Sequence, residues 1–141
     1  MFLLDTDHIS ILQERTGTEY ARLLARMSQH PVRAFWLSIV SFHEQLLGAN
    51  AYINRATTAA DVTRGYGLLE VLLMTYSTAQ IHQFDQPAIV QFDALRTRRV
   101  RIATMDLRIA SIALVRKWTV LTRNLRDFQK VPGLRCEDWT I

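Results

Sequence analysis

The chain has 141 residues, 49% of them hydrophobic and 21% charged, with 5 glycines and 3 prolines, which suits one domain (1–141) with a sizeable core and leaves no room for a second. A mean hydropathy of +0.02 and the lack of low-complexity tracts exclude a disordered or fibrous chain; a single cysteine, Cys136, excludes an internal disulfide and a thiolate zinc site, and suits a reducing cytoplasm. Seventeen basic residues against 13 acidic ones give a charge of +4, and all the cations except Lys117 and Lys130 are arginines, whose planar guanidinium pairs with phosphate oxygens, so a polyanionic partner is expected.

Met-Phe-Leu-Leu at the amino terminus reads as a short strand, stopped by Asp5-Thr6-Asp7, whose oxygens can cap a following helix. The apolar runs from Met1 to Leu4 and from Leu68 to Met74 are cut by Asp5 and Glu70, so neither forms a membrane span or a signal core. Helices are predicted over about 8–15 and 18–29, with Gly17 between them and Tyr20, Leu23, Leu24 and Met27 on the apolar face of the second. Ala34 to Val40 is an aromatic and β-branched run of strand length, and a helix carrying Glu44, Leu46 and Leu47 is expected from Ser41. Thr58 to about Tyr76 reads as the longest helix, capped by Thr58 and apolar at Val62, Leu69, Leu72, Leu73 and Tyr76.

A third strand is predicted between Ala79 and Phe84, followed by a helix that starts at Asp85-Gln86-Pro87 and buries Ile89, Val90, Phe92 and Leu95. Another helix is expected from Asp106 to Lys117, then a strand from Trp118 to Thr122, a turn or short helix from Asn124 to Phe128, and an edge strand from Leu134 to Cys136. Strands alternating with helices imply a central parallel sheet flanked on both faces by helices, the α/β class. Ligands of such sheets sit at the carboxyl ends of the strands. Asp5, Thr6 and Asp7, Ser38 and Ser41, and Thr122 and Asn124 are therefore expected to converge there.

Three carboxylates stand out. Asp5 follows buried strand residues, where it fits either a helix cap or a site. Glu44 shares a helical stripe with Val40, Leu47 and Ala51 and so lies on an apolar side, where it needs an arginine or some other cation. Asp106 shares a side with Ile109, Ala110 and Ala113, which again fits a cap or an inward-facing acid. Two carboxylates about 4 Å apart repel by roughly 4 kcal/mol at an effective dielectric near 20, so acids brought together by the fold require positive charge between them. Oxygen donors alone suit Mg2+ or Mn2+. His8, His30, His43 and His82 have no metal-ligand spacing, and surface or capping roles are expected for them. Cys136 reads as a small buried hydrophobe. The run Arg96, Arg98, Arg99, Arg101 is dense enough to suggest an anionic contact.

Four segments together carry a family resemblance: Phe-Leu-Leu-Asp-Thr-Asp at 2–7, Ser-Ile-Val-Ser-Phe-His-Glu-Gln-Leu-Leu-Gly at 38–48, Ile-Ala-Thr-Met-Asp-Leu-Arg-Ile-Ala at 102–110 and Leu-Thr-Arg-Asn-Leu-Arg-Asp-Phe-Gln-Lys-Val-Pro-Gly-Leu at 121–134. In this order and spacing the chain resembles the PIN-domain ribonucleases, and closely the VapC-type toxins of toxin-antitoxin pairs. The resemblance implies a five-stranded parallel sheet, metal ligands at Asp5, Glu44 and Asp106, and a fourth catalytic position at Asn124, where many relatives carry aspartate. Asp7 also departs from the usual asparagine.

Magnesium- or manganese-dependent hydrolysis of RNA phosphodiesters is the implied chemistry. Thr6, Asp7, Ser41, Thr122 and Asp127 would support the ligands, and Arg96, Arg98, Arg99, Arg101 and Arg108 would contact RNA. A cognate antitoxin, a homodimer and a cytoplasmic setting are further expectations. The alternative is a PIN-like module that binds RNA or protein without cutting. Phosphatases that open on a similar Asp-x-Asp need a downstream lysine and an acidic pair after a later strand; here the only lysines are Lys117, just before a strand, and Lys130, and the only adjacent acids, Glu137 and Asp138, lie at the chain end, while a phosphate-receiver domain has no clear match for the lysine after its last strand.

Overall fold

A computed structural model describes residues 1–141. In chain order the elements are β1 (Phe2–Leu4), α1 (Thr6–Glu14), α2 (Gly17–Met27), β2 (Phe35–Ser38), α3 (Ile39–Arg55), α4 (Ala59–Thr78), β3 (Ile81–His82), α5 (Gln86–Thr97), α6 (Thr104–Arg116), β4 (Thr119–Leu121), α7 (Leu125–Phe128) and β5 (Arg135–Glu137). The five strands form one wholly parallel sheet in the order β3-β2-β1-β4-β5, as the alternating pattern predicted. No helix is long and apolar enough to cross a membrane.

Successive strand side chains point to opposite faces, and the core divides accordingly. Leu3 and Val120 pack with Phe92 and Leu95 of α5, Leu107, Ile109 and Ile112 of α6, and Phe128. Leu4, Leu37 and Leu121 pack on the other face with Ile9, Leu23, Ala49, Leu72 and Tyr76 from α1 to α4, closed by Trp139. Burial on both faces explains why β1 is wholly apolar and why β4 ends in Val120-Leu121.

Element boundaries differ from expectation where capping decides them. The second strand ends at Ser38 instead of Val40, and α3 starts at Ile39 instead of Ser41: the Ser38 hydroxyl accepts the Ser41 N–H at 2.9 Å, which draws Ile39 and Val40 into the first turn of α3. Residues 32–34 form a 3-10 turn, so Ala34 lies outside the strand and β2 begins at Phe35. Asp5 caps α1, so that helix starts at Thr6, and α6 starts at Thr104, placing Asp106 inside its first turn. Thr58 caps α4 as expected, accepting the Asp61 N–H at 3.1 Å. β3 is only Ile81–His82.

Several expected core positions lie outside. On α4 the buried residues are Gly65, Leu72 and Tyr76, whereas Val62 is exposed and Leu73 is 71% exposed. Val90 of α5 and Leu24 of α2 are exposed too, and Leu46 and Leu47 of α3 face solvent. Cys136 is half-buried beside the first core cluster, and burial raises its thiol pKa.

Leu3, fully buried in the central strand, should be costly to truncate. Leu3→Ala is expected to lower stability by about 3 kcal/mol, a midpoint loss near ~10 °C in thermal denaturation, while Val90→Ala stays within about 0.5 kcal/mol of wild type.

Candidate active site

Asp5 stands where β1 becomes α1. Its N–H donates to the Leu121 carbonyl at 2.9 Å, which extends the β1–β4 pairing by one step. The carboxylate is 5% exposed; Oδ1 accepts the Thr6 N–H at 2.8 Å and Oδ2 accepts the Thr122 hydroxyl at 2.8 Å. The cap and site readings of Asp5 are thus compatible, since capping takes one oxygen. Thr122 Oγ1 in turn accepts the Asn124 N–H at 3.0 Å, so the end of β4 is tied to the end of β1.

Thr6 donates its hydroxyl to Glu44 Oε2 at 3.2 Å, bringing α3 to the same strand ends. Glu44 is half-buried and has no ion pair, so the arginine-pair alternative does not hold. Asp106 is also half-buried and accepts Asn124 Nδ2 at 3.3 Å; the same nitrogen donates to Asp127 Oδ2 at 3.2 Å. Ala103 occupies the cap position of α6, so the cap reading of Asp106 fails. One neutral amide therefore lies between two carboxylates. Ser41 is buried, but its hydroxyl pairs with that of Ser38 at 2.8 Å and contacts none of the acids.

Electrostatics confirms the crowding. The Asp5 pKa is raised to about 7 by burial and by the charge of Asp7, against the lowering effect of the Thr122 and Thr6 hydrogen bonds, with Asp106 adding a further upward push. Asp106 is raised to about 6 by burial, Glu44 and Asp127, opposed by Asn124. Asp127, half-buried and bonded to Lys130 and Asn124, is lowered. No basic side chain forms an ion pair with Asp5, Glu44 or Asp106. No three His, Cys, Asp or Glu side chains are drawn together tightly enough to enclose an ion by themselves. The donor set is nonetheless all oxygen, anionic and uncompensated, which matches a hard cation that keeps several of its own waters.

His8 contradicts its expected surface role. It is fully buried, with Nδ1 at 2.8 Å from Asp7 Oδ1 and Nε2 accepting the Trp139 N–H at 3.3 Å. Asp7 Oδ2 accepts the Arg123 N–H at 2.8 Å. The pair thus fastens both the loop after β4 and the carboxyl-terminal segment to the start of α1. Among the arginines, Arg96, Arg99 and Arg101 line a cavity beside Asp127. Arg98 is not part of that lining, and Arg108 lies over the Phe92 ring at 5.7 Å.

A five-stranded parallel sheet of this order, with acids from the end of β1, α3 and α6 gathered at the strand ends, is the arrangement that the resemblance to PIN-domain nucleases implies. No family model matches the chain. It is 30% identical over 107 residues to the tRNA(fMet)-specific endonuclease VapC of Salmonella typhimurium, a match spanning 73% of this chain and 74% of that protein. The chain belongs to the VapC family, the endonuclease toxins of toxin-antitoxin systems.

Solved structures agree on the fold. A chain of VapBC2 from Rickettsia felis, bound to a fragment of promoter DNA, superposes with a TM-score of 0.75 at 20% identity, covering 98% of each chain. A chain of VapBC-1 from nontypeable Haemophilus influenzae gives 0.74 at 20% identity over 99% of this chain and 98% of its own. A chain of DNA-bound VapBC from Salmonella typhimurium gives 0.68 at 23% identity over 98% and 97%.

The raised carboxylates have a consequence for stability. With divalent cations chelated, the folded protein retains protons on Asp5 and Asp106 at pH values where the unfolded chain has released them. This contribution is complete below about pH 4 and is lost as pH rises through about 6 and 7. In chelator, Asp106→Asn is expected to raise the thermal midpoint at pH 8 by about 3 °C, equivalent to roughly 1 kcal/mol, and to leave it unchanged at pH 4. A lower midpoint at pH 8 would contradict the repulsion.

Proposed function

We propose that this chain is a Mg2+- or Mn2+-dependent endoribonuclease that hydrolyses RNA phosphodiesters and acts as a toxin held in check by a cognate antitoxin. The observation that carries the reading is the convergence of Asp5, Glu44 and Asp106 at the strand ends with no basic partner for any of them. Asp5, Glu44 and Asp106 would hold the ion, which when bound supplies Lewis-acid polarisation of the phosphoryl oxygen and lowers the pKa of a water.

The chain's own groups then have distinct tasks. Thr6 N–H and Thr122 fix both oxygens of Asp5, so its carboxylate is oriented before substrate arrives. Glu44 is held through Oε2 by Thr6 and has no partner at Oε1, which leaves that atom free to accept a proton from an attacking water. Asn124 keeps Asp106 and Asp127 together across its amide. Asp7 and His8 hold the β4–α7 loop on which Asn124 lies.

Transfer RNA is the proposed substrate class, by likeness to the Salmonella relative, with a single-stranded loop as the target because only unstacked bases expose their edges. The partner is proposed from the same kinship, since the superposed chains come from VapBC complexes. A homodimer is part of the proposal: α4 exposes Tyr66, Leu73 and Met74, an apolar surface suited to a second copy.

Total tRNA incubated with the protein and Mg2+ should be cut, and chelator should stop the cutting. Glu44→Gln is expected to lower the rate by about 100-fold or more and Asn124→Ala by roughly 10-fold. Asp5→Asn and Asp106→Asn should abolish both cleavage and the growth arrest caused by expression without antitoxin; cleavage that survives in both variants defeats the assignment.

A further inference from the structure

We propose that the cavity between the end of α5 and the start of α6 is a subsite for a backbone phosphate of the bound RNA, next along the strand from the phosphate that is cut. The proposal rests on the ribonuclease reading and specifies how that substrate is gripped. The cavity measures about 680 Å³; Arg96, Arg99, Arg101, Lys130 and Asp127 line it together with apolar residues of α5, α6 and the segment between them. None of the three arginines forms an ion pair; the only ion pair on this wall joins Lys130 to Asp127. Guanidinium groups without carboxylate partners, gathered around one hollow, offer paired N–H donors to phosphate oxygens.

The chain turn selects which arginines take part. α5 ends at Thr97, and Arg99 adopts a left-handed conformation with φ of 58°. Its N–H donates to the Arg96 carbonyl at 2.9 Å, and the Val100 N–H donates to the Leu95 carbonyl at 3.2 Å. This reversal brings Arg96, Arg99 and Arg101 to the cavity and leaves Arg98 off its lining. Glycine is the residue this backbone position favours. Arg15 and Lys117 take the same conformation after α1 and α6, where attraction of a cation to the helix carboxyl end is reason enough. Arg99 differs from them in lining a cavity shared with Arg101 and with Arg96, whose guanidinium lies over the Phe92 ring at 5.6 Å and has no carboxylate partner.

A row of hydrogen bonds links this cavity to the carboxylates. Lys130 donates to Asp127, Asn124 Nδ2 donates to Asp127 at 3.2 Å, and the same nitrogen donates to Asp106 at 3.3 Å. Asp127 is thus both a wall of the cavity and a neighbour of the cluster proposed to cut. That adjacency favours an RNA strand over an acidic peptide as the occupant, because a strand whose scissile phosphate lies at Asp106 carries its next phosphate only a nucleotide away.

The test uses the full chain with a fluorescein-labelled single-stranded RNA of about 12 nucleotides. Binding is read by anisotropy in chelator across a salt series, and cleavage separately with Mg2+. Arg99→Gly and Arg101→Ala are each expected to weaken binding by about 5- to 10-fold and to flatten the slope of log Kd against log salt by about 0.7, the loss of one phosphate contact. Arg98→Ala should shift affinity by less than about twofold. Cleavage by Arg99→Gly should show a raised KM with kcat nearly retained.

Arg99→Gly should also melt no lower than wild type, since glycine relieves the backbone, so weaker binding could not be ascribed to unfolding. Equal losses at Arg98 and Arg99, or unchanged affinity in both cavity variants, would overturn the subsite. So would an acidic peptide of the same length that displaces the RNA and loses affinity equally in the two variants. If Mg2+-dependent cleavage persists with KM unchanged in Arg99→Gly and Arg101→Ala, the subsite falls while the ribonuclease reading stands. If no cleavage occurs but both variants lose RNA affinity, the ribonuclease reading falls and the cavity stands only as a phosphate contact of bound RNA, no longer as a neighbour of a cut phosphate.

Discussion

A parallel sheet buried on both faces leaves polar groups nowhere to go except its ends, and the whole site follows from that constraint. Leu3, Leu4, Val120 and Leu121 are at most 1% exposed, so the carboxyl-terminal halves of β1 and β4 bury apolar side chains on both faces. The chain can become hydrophilic only as it leaves the sheet, and it does so at Asp5 and Thr122. Because the two strands are parallel neighbours in register from Phe2 with Thr119 to Leu4 with Leu121, those polar residues emerge side by side. The hydrogen bond between Thr122 and Asp5 is the direct result.

The acids survive together because the fold partly offsets their repulsion. Asp5 caps α1 and Asp106 lies in the first turn of α6, so each sits at a helix amino end, where exposed N–H groups and the helix dipole favour negative charge. Thr122, Thr6 and Asn124 add donors that carry no full charge. These contributions are incomplete: burial and mutual repulsion still hold Asp5 and Asp106 well above the ordinary carboxylate range. An arginine at the centre would neutralise the cluster, and the chain has fifteen arginines to draw upon. It places them on the flanking cavity and the surface instead, which leaves the cluster without a basic partner.

Sequence legibility divides along the same physical line. Asp5, Glu44 and Asp106 could be read because acids next to strand ends, or on apolar helical stripes, violate the pattern expected of a core. The strand order could be read only as far as its parallel class, since pairing depends on long-range packing. The boundary between β2 and α3 was missed because Ile39 and Val40 are β-branched and extend a strand pattern, whereas the Ser38 cap decides the local hydrogen bonding. Val62 and Leu73 were assigned inward by hydrophobicity, yet the buried stripe of α4 is set by Gly65, Leu72 and Tyr76. His8 carried a usable signal: it stands three and four residues before Ile11 and Leu12, the same inside spacing that singled out Glu44.

Asn124 illustrates what a neutral residue does between two acids. A carboxylate there would face Asp106 and Asp127 at the 3.3 and 3.2 Å now spanned by its amide nitrogen, adding a third anion to a pair already in conflict. The amide instead donates to both, holding Asp106 beside the strand ends and Asp127 beside Lys130. The amide adds no charge to the centre, and it ties the carboxylates to the basic wall next to them through one side chain.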